Sequence, residues 1–138
     1  MKWVFGASKG LLAMGGLIMV GCTYVPTYGV HGKLLSTEQQ IIDCQYEAAL
    51  DILQRFTVVG SSKEKARAFE YMGVVYQEKM DLEAFNHTVD RYMFNDVGRG
   101  ADRAAVIQNW NETRRDIRER RVYVLGQAEC ATNFATSG

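Results

Sequence analysis

Beyond Ser36 the apolar side chains of this chain recur at helical steps, and that rhythm limits the fold more than any other feature. Ile42, Tyr46, Ala49, Leu53 and Phe56 follow one another at steps of 4, 3, 4 and 3, with Ile41, Ala48 and Ile52 widening the stripe. A stripe of this width on a 3.6-residue period marks a helix that buries one face. Ser36 and Gln39 stand at capping-box spacing, so the first helix is expected to run from there to just before Gly60. Ser61 and Glu64 repeat that spacing at a second start. Phe69, Met72, Tyr76 and Met80 then form a stripe with Gly73 inside it, where a missing side chain lets another helix approach. Phe69, Gly73 and Tyr76 are therefore the expected helix-packing residues.

Asp81 is positioned to end that helix and cap a third, whose stripe is Leu82, Phe85, Val89 and Tyr92. The run from Asn95 to Gly100 is a turn by composition. The last helix is expected between Asp102 and Glu129, on Val106, Trp110, Thr113, Ile117, Arg120 and Val124. Four apolar residues in a row, Val122 to Leu125, fit the end of that helix or a short strand, and periodicity does not choose between them. At 138 residues the chain has room for one domain, and its zero formal net charge argues against nucleic acid as a partner.

The first 22 residues have a different character. Lys2 and Lys9 precede a charge-free run, Gly10 to Gly21, that is about half of what spans a bilayer. A basic region, a short apolar region and a small residue at the boundary describe a secretory signal. The boundary itself, Met19-Val20-Gly21-Cys22, resembles the lipobox of bacterial lipoproteins. That resemblance implies cleavage before Cys22, diacylglycerol on its thiol and acylation of the new amine. Two or three acyl chains hold a protein on a membrane where one does not. An ordinary cleaved signal and an uncleaved anchor are the alternatives. Thr23, in place of an Asp that would retain the protein at the inner membrane, points to the inner leaflet of the outer membrane, facing the periplasm. Residues 1–21 are thus read as signal peptide. Residues 22–36 are read as lipidated N-terminus and tether, broken by Pro26, Gly29 and Gly32. Residues 37–131 are read as the helical domain and 132–138 as a flexible tail.

With Cys22 committed to lipid, Cys44 and Cys130 remain as an even pair in an oxidising compartment, and a disulfide is expected. Two buried free thiols are the alternative. Short loops make neighbouring helices antiparallel. The start of the first helix and the end of the last then meet only if the helix count is even. The break at Asp81 gives four, so the expected fold is all-α, an antiparallel four-helix domain with one disulfide.

Phe69, Met72, Gly73 and Tyr76 also stand at the spacing of the first helix of a tetratricopeptide repeat, with Met80-Asp81-Leu82 as its internal turn. Residues 46–53 are similar to that repeat's second helix. The resemblance implies a protein-binding module. A generic helical hairpin packed through Gly73 is the other reading.

Chemistry is sparse. His31 and His87 have no partners at metal-ligand spacing. Ser61 and Ser62 read as caps, and Gly98-Arg99-Gly100 lacks the surroundings of a phosphate loop. No catalytic constellation, cofactor motif or small-molecule signature is present in the sequence, so binding is expected rather than catalysis. Charge is unevenly placed: residues 37–96 hold 11 acidic and 6 basic side chains, residues 99–121 hold 7 arginines and 4 acids. Arg114, Arg118 and Arg121 share a helical face with Arg115 beside it. That face either docks an acidic protein or lipid phosphates, or pairs with the acidic helices of its own bundle. The expected role is a lipid-anchored adaptor in an envelope assembly, such as a secretion or pilus machine or a set of peptidoglycan-associated proteins. The alternative is an inhibitor or immunity lipoprotein that blocks a foreign enzyme or DNA transfer.

Overall fold

The computed structural model describes residues 30–131, with side chains from Lys33 onward. The expected signal, the expected lipobox with Cys22, the first part of the expected tether and the tail expected over 132–138 lie outside the described residues. Within them all regular structure is helical: α1 Val30–Ile42, α2 Tyr46–Val59, α3 Ser62–Glu78, α4 Leu82–Phe94 and α5 Arg103–Leu125. The domain therefore has five helices rather than the four expected.

The extra helix comes from a break inside the first apolar stripe. At Cys44 the backbone is left-handed, with φ 63°. The Cys44 N–H donates to Ile41 O at 3.2 Å and the Gln45 N–H to Gln40 O at 2.7 Å. This pair of bonds is a Schellman motif, a helix stop in which the left-handed residue is usually glycine. α1 reaches back to Val30, so the tether expected over 23–36 is helical from 30 onward, and Ser36 sits mid-helix instead of capping one. Burial of Leu34, Thr37 and Ile41 at 4% exposure or less offsets the cost of Gly32 inside α1.

The later boundaries follow local chemistry. Ser61 and Glu64 form both bonds of the capping box that starts α3. Asp81 caps α4 through the Ala84 N–H at 3.0 Å, and Asp102 caps α5 through that of Ala105. α3 ends in a second Schellman motif: Met80, at φ 56°, donates to Gln77 O and Asp81 donates to Tyr76 O. α5 ends at Gly126, also left-handed at φ 75°, so Val122 to Leu125 are helix rather than strand.

α3 contacts all four other helices. Its residues Ala68 to Val75 are buried without interruption, as a helix enclosed on every side must be. One core cluster joins α1, α2 and α3 to Ile117 of α5, through residues such as Ile41, Leu53 and Met72. A second gathers Phe69, Phe85, Val89, Val106 and Trp110 between α3, α4 and α5. Phe69 and Trp110 each meet Tyr92 edge-on, with ring centroids 5.9 and 5.6 Å apart. Gly73 admits the Trp110 indole: a Cβ there would lie 2.6 Å from Cζ3 and nearer still to Cε3. Tyr76 packs against both clusters. Cys44 and Cys130 are joined, with their Cα atoms 5.7 Å apart.

Candidate partner-binding surfaces

The arginines of α5 do share a face, and most of that face turns inward. Arg121 is wholly buried. Its Nε donates to Ile42 O and its Nη2 to Ile41 O, each at 3.0 Å. Nη1 donates to Glu78 Oε2 and to Ala128 O, each at 2.7 Å, and Nη2 reaches Tyr46 Oη at 3.3 Å. A guanidinium has five N–H donors, and all five are placed. Arg121 thus holds the last carbonyls of α1, the end of α3, the start of α2 and the segment after α5. It belongs to no surface, which corrects its expected place on a docking face.

Glu78 is the anionic centre of this knot, its side chain 4% exposed. Oε1 accepts from Arg114 Nε at 2.6 Å, and Arg118 Nη1 stands 3.9 Å away. Burial pushes the Glu78 carboxyl up, but hydrogen bonds and charge from Arg114 and Arg121 overcome that and hold it below the ordinary value. The Tyr46 hydroxyl lies 3.2 Å from Glu78 Oε2 and 2.8 Å from the disulfide sulfur of Cys130. Burial first, and the Glu78 charge second, raise its pKa to about 12. Arg118 also pairs with Glu129 at 2.8 Å. Arg115 is exposed and has no ion-pair partner among the described residues.

The sequence locates the arginines and the cysteines, but it shows Tyr46 only as a member of the apolar stripe and gives no role to Glu78. A faint signal existed: Glu78 is the last residue of an otherwise apolar helix face, and Tyr46 is two residues from Cys44.

Three places leave apolar side chains in solvent. A groove of about 650 Å³ is lined by Val58 of α2, Lys65 and Phe69 of α3, and Arg91 and Phe94 of α4. Phe94 is 88% exposed and Val58 69%. A second groove, about 700 Å³, runs beside the disulfide and carries Met80 and Leu82 on its rim. A third, about 350 Å³, lies between α1 and α5 and is lined by Leu35, Tyr123 and Val124.

His87 is exposed on α4. Among the described residues no three His, Cys, Asp or Glu side chains are grouped to share a metal ion. No helix among them is long and apolar enough to cross a membrane. No protein-family model, curated protein or solved structure matches the chain.

Proposed function

We propose that this chain is a lipid-anchored envelope lipoprotein whose disulfide-locked helical domain binds a protein partner. The observation that carries the reading is Gly21-Cys22 at the end of a charge-free apolar run that follows Lys2 and Lys9. The mature chain would sit on the periplasmic side of the outer membrane, held at Cys22. A domain tied together by a disulfide and a five-donor arginine suits a compartment without chaperoned reduction. The partial resemblance of residues 46–92 to a tetratricopeptide repeat, from which Phe85 and Tyr92 depart, would agree with a binding role.

The groove around Phe94 is the docking surface that this role would use. Val58 and Phe94 give it an exposed apolar part, Lys65 and Arg91 add positive charge, and its one acid, Asp90, is engaged by Arg103, which together fit an apolar side chain flanked by acids. The arginines of α5 are mostly spent within the domain, which leaves Arg115 as their remaining contact for an acidic partner.

The test combines palmitate labelling with a photo-crosslinker in the Phe94 groove of the lipidated chain. With the crosslinker at position 58, which lines the same groove, the expected result is label on the wild type, none on Cys22→Ser, and stoichiometric capture of an envelope component that Phe94→Ser loses. Capture of only a foreign enzyme or a DNA-transfer protein would replace the adaptor role by the inhibitor role. An unlabelled wild-type chain would end the lipoprotein reading.

A further inference from the structure

An anchor at Cys22 fixes how far the domain can stand from the bilayer, but not which way it faces. Seven residues lie between Cys22 and the first residue of α1, which makes eight steps along the chain. Fully extended they span at most about 28 Å. Residues 23–29 carry no charge and include Tyr24, Val25 and Tyr28. Such residues favour the membrane–water interface, where an aromatic ring keeps one polar edge wet. The start of α1 is therefore held close to the headgroups, and Leu35 follows about 7.5 Å further along the helix.

Leu35 is 60% exposed, and α5 brings Tyr123, 93% exposed, and Val124, 54% exposed, to the same groove. The last turn of α5 is apolar all round and projects from the bundle: Val122 and Leu125 are also exposed. Arg120 lines this face with its guanidinium paired to Glu38, and Lys63 of α3 adjoins Leu35 as an exposed cation. The one acid lining the groove, Glu38, is already engaged by Arg120 and by the Tyr71 hydroxyl, and Asp116 lies a full turn before Arg120 on α5, towards the middle of the bundle. The nearby acids Glu119 and Glu129 belong to the other side of α5, with Arg115 and Arg118.

We propose that the face formed by Leu35, Tyr123 and Val124 is a lipid-contacting surface that seats the domain on the bilayer carrying its anchor. The proposal rests on the lipoprotein reading. Tyrosine and aliphatic side chains with long cationic side chains beside them are the composition of an interfacial surface. The contact is weak alone and becomes effective because the anchor keeps the face at high local concentration. The Phe94 groove lies on the α4 side of α3, away from this face. It uses Lys65 and Phe69, whereas Lys63, Arg67 and Tyr71 of α3 adjoin Leu35.

The test uses the lipidated chain beginning at Cys22, in vesicles of phosphatidylcholine and phosphatidylglycerol containing dibrominated phosphatidylcholine. Tyr123→Trp and Phe94→Trp place a reporter in each groove, and the wild type supplies the background of Trp110. Both sites are exposed, so neither substitution disturbs packing. Bromolipid quenching at 123 is expected to exceed that at 94 by about twofold or more. Adding Leu35→Ser and Val124→Ser should reduce the difference. Flotation with the vesicles reports the anchor separately. A chain that floats yet shows equal quenching at 123 and 94 overturns this face and leaves the anchor standing. A chain that does not float overturns both. A residue 123 shielded from bromolipid and from aqueous iodide alike is covered by protein, and that too overturns the proposal.

Discussion

Replacing Arg121 with alanine removes five hydrogen bonds at once, and the structure allows the cost to be worked out. Taking one partner from a buried ion pair costs about 3–5 kcal/mol when the other charge is left alone. Here Glu78 is not left alone, because Arg114 still donates to Oε1 at 2.6 Å. That places the ionic part near the bottom of the range, about 3 kcal/mol. The carbonyls of Ile41, Ile42 and Ala128 also lose a donor, and any that stays dry adds about 1 kcal/mol or more. The expected loss is about 4 kcal/mol, which is a large part of the roughly 5–15 kcal/mol that holds a domain folded. In melting temperature it corresponds to a fall of roughly 15–30 °C for a domain of this size. Arg121→Lys keeps the charge but offers three rotatable donors in place of a planar fork, and should lose about half as much. Urea unfolding followed at 222 nm under oxidising conditions measures both, with Arg115→Ala as a control expected within about 0.5 kcal/mol of wild type. An Arg121→Ala loss below about 1 kcal/mol, with an unchanged denaturant slope, would falsify the view of this arginine as the joint between four segments.

Other perturbations test other joints. Gly73→Ala gains helix propensity of about 1 kcal/mol but drives a methyl into the buried Trp110 ring. A net loss of about 1–3 kcal/mol is expected, and a stabilised variant would show that the indole can move aside. Met80→Gly should stabilise by about 0.5–1 kcal/mol, since Met80 holds a left-handed φ of 56° with its side chain 84% exposed. Reduction of Cys44–Cys130 opens a separation of 86 residues and should cost about 4–5 kcal/mol by loop entropy, read as a shift in urea midpoint between oxidised and reduced protein. Stability should also fall at both pH extremes. The Glu78 carboxyl is held below its ordinary 4.5, so its contribution is present above that value and disappears as acid protonates it; Glu78→Gln should flatten the acid limb. The Tyr46 hydroxyl is raised from 10.0 to about 12, so its contribution is intact below pH 10 and is lost between 10 and 12, a loss that Tyr46→Phe should diminish.

The parts of the fold that were legible are those whose cause lies within a few residues. Ser61 with Glu64, and the aspartates at 81 and 102, mark helix starts because a side-chain oxygen meets an N–H three residues on. Gly73 announced a close approach, although its partner proved to be an indole from α5 rather than a neighbouring hairpin. The break at Cys44 stayed hidden because its left-handed residue is not a glycine or an asparagine. The stop at Met80 shares that disguise and was found only through Asp81 beside it. Arginine spacing was visible, whereas arginine burial was not. The 4-3-4-3-4 rhythm puts Arg120 on the apolar stripe and Arg121 outside it; the structure reverses them, with Ile117 and Arg121 at a step of four facing the core. What decides that reversal is Glu78, 43 residues away in sequence and on another helix. The exposed grooves were illegible for the same reason, since an apolar residue in a periodic stripe is exposed only where its helix has outrun its neighbours.

The helix count shows how far a covalent constraint reaches. A disulfide restricts the parity of the helices it encloses and of no others. Between Cys44 and Cys130 the chain traverses α2, α3, α4 and α5, an even number, so its two ends return to one edge of the bundle. α1 precedes Cys44 and lies outside that loop, so the pairing carried no information about it. What ties α1 to the rest at that edge is Arg121, which donates to the carbonyls of Ile41 and Ile42 that end the helix. A helix terminus left with bare carbonyls is costly to bury, and an arginine at that end supplies both the donors and the favourable charge. The bridge and the arginine therefore divide one task. The bridge closes the four helices it encloses, and Arg121 joins to them the helix that would lead to the membrane anchor. Reduction should accordingly loosen the loop while Arg121→Ala should release α1, and hydrogen exchange resolved along the sequence distinguishes the two. Protection lost first in 30–42 is the signature of the arginine variant. The same pattern on reduction would mean that the bridge, not the arginine, holds α1.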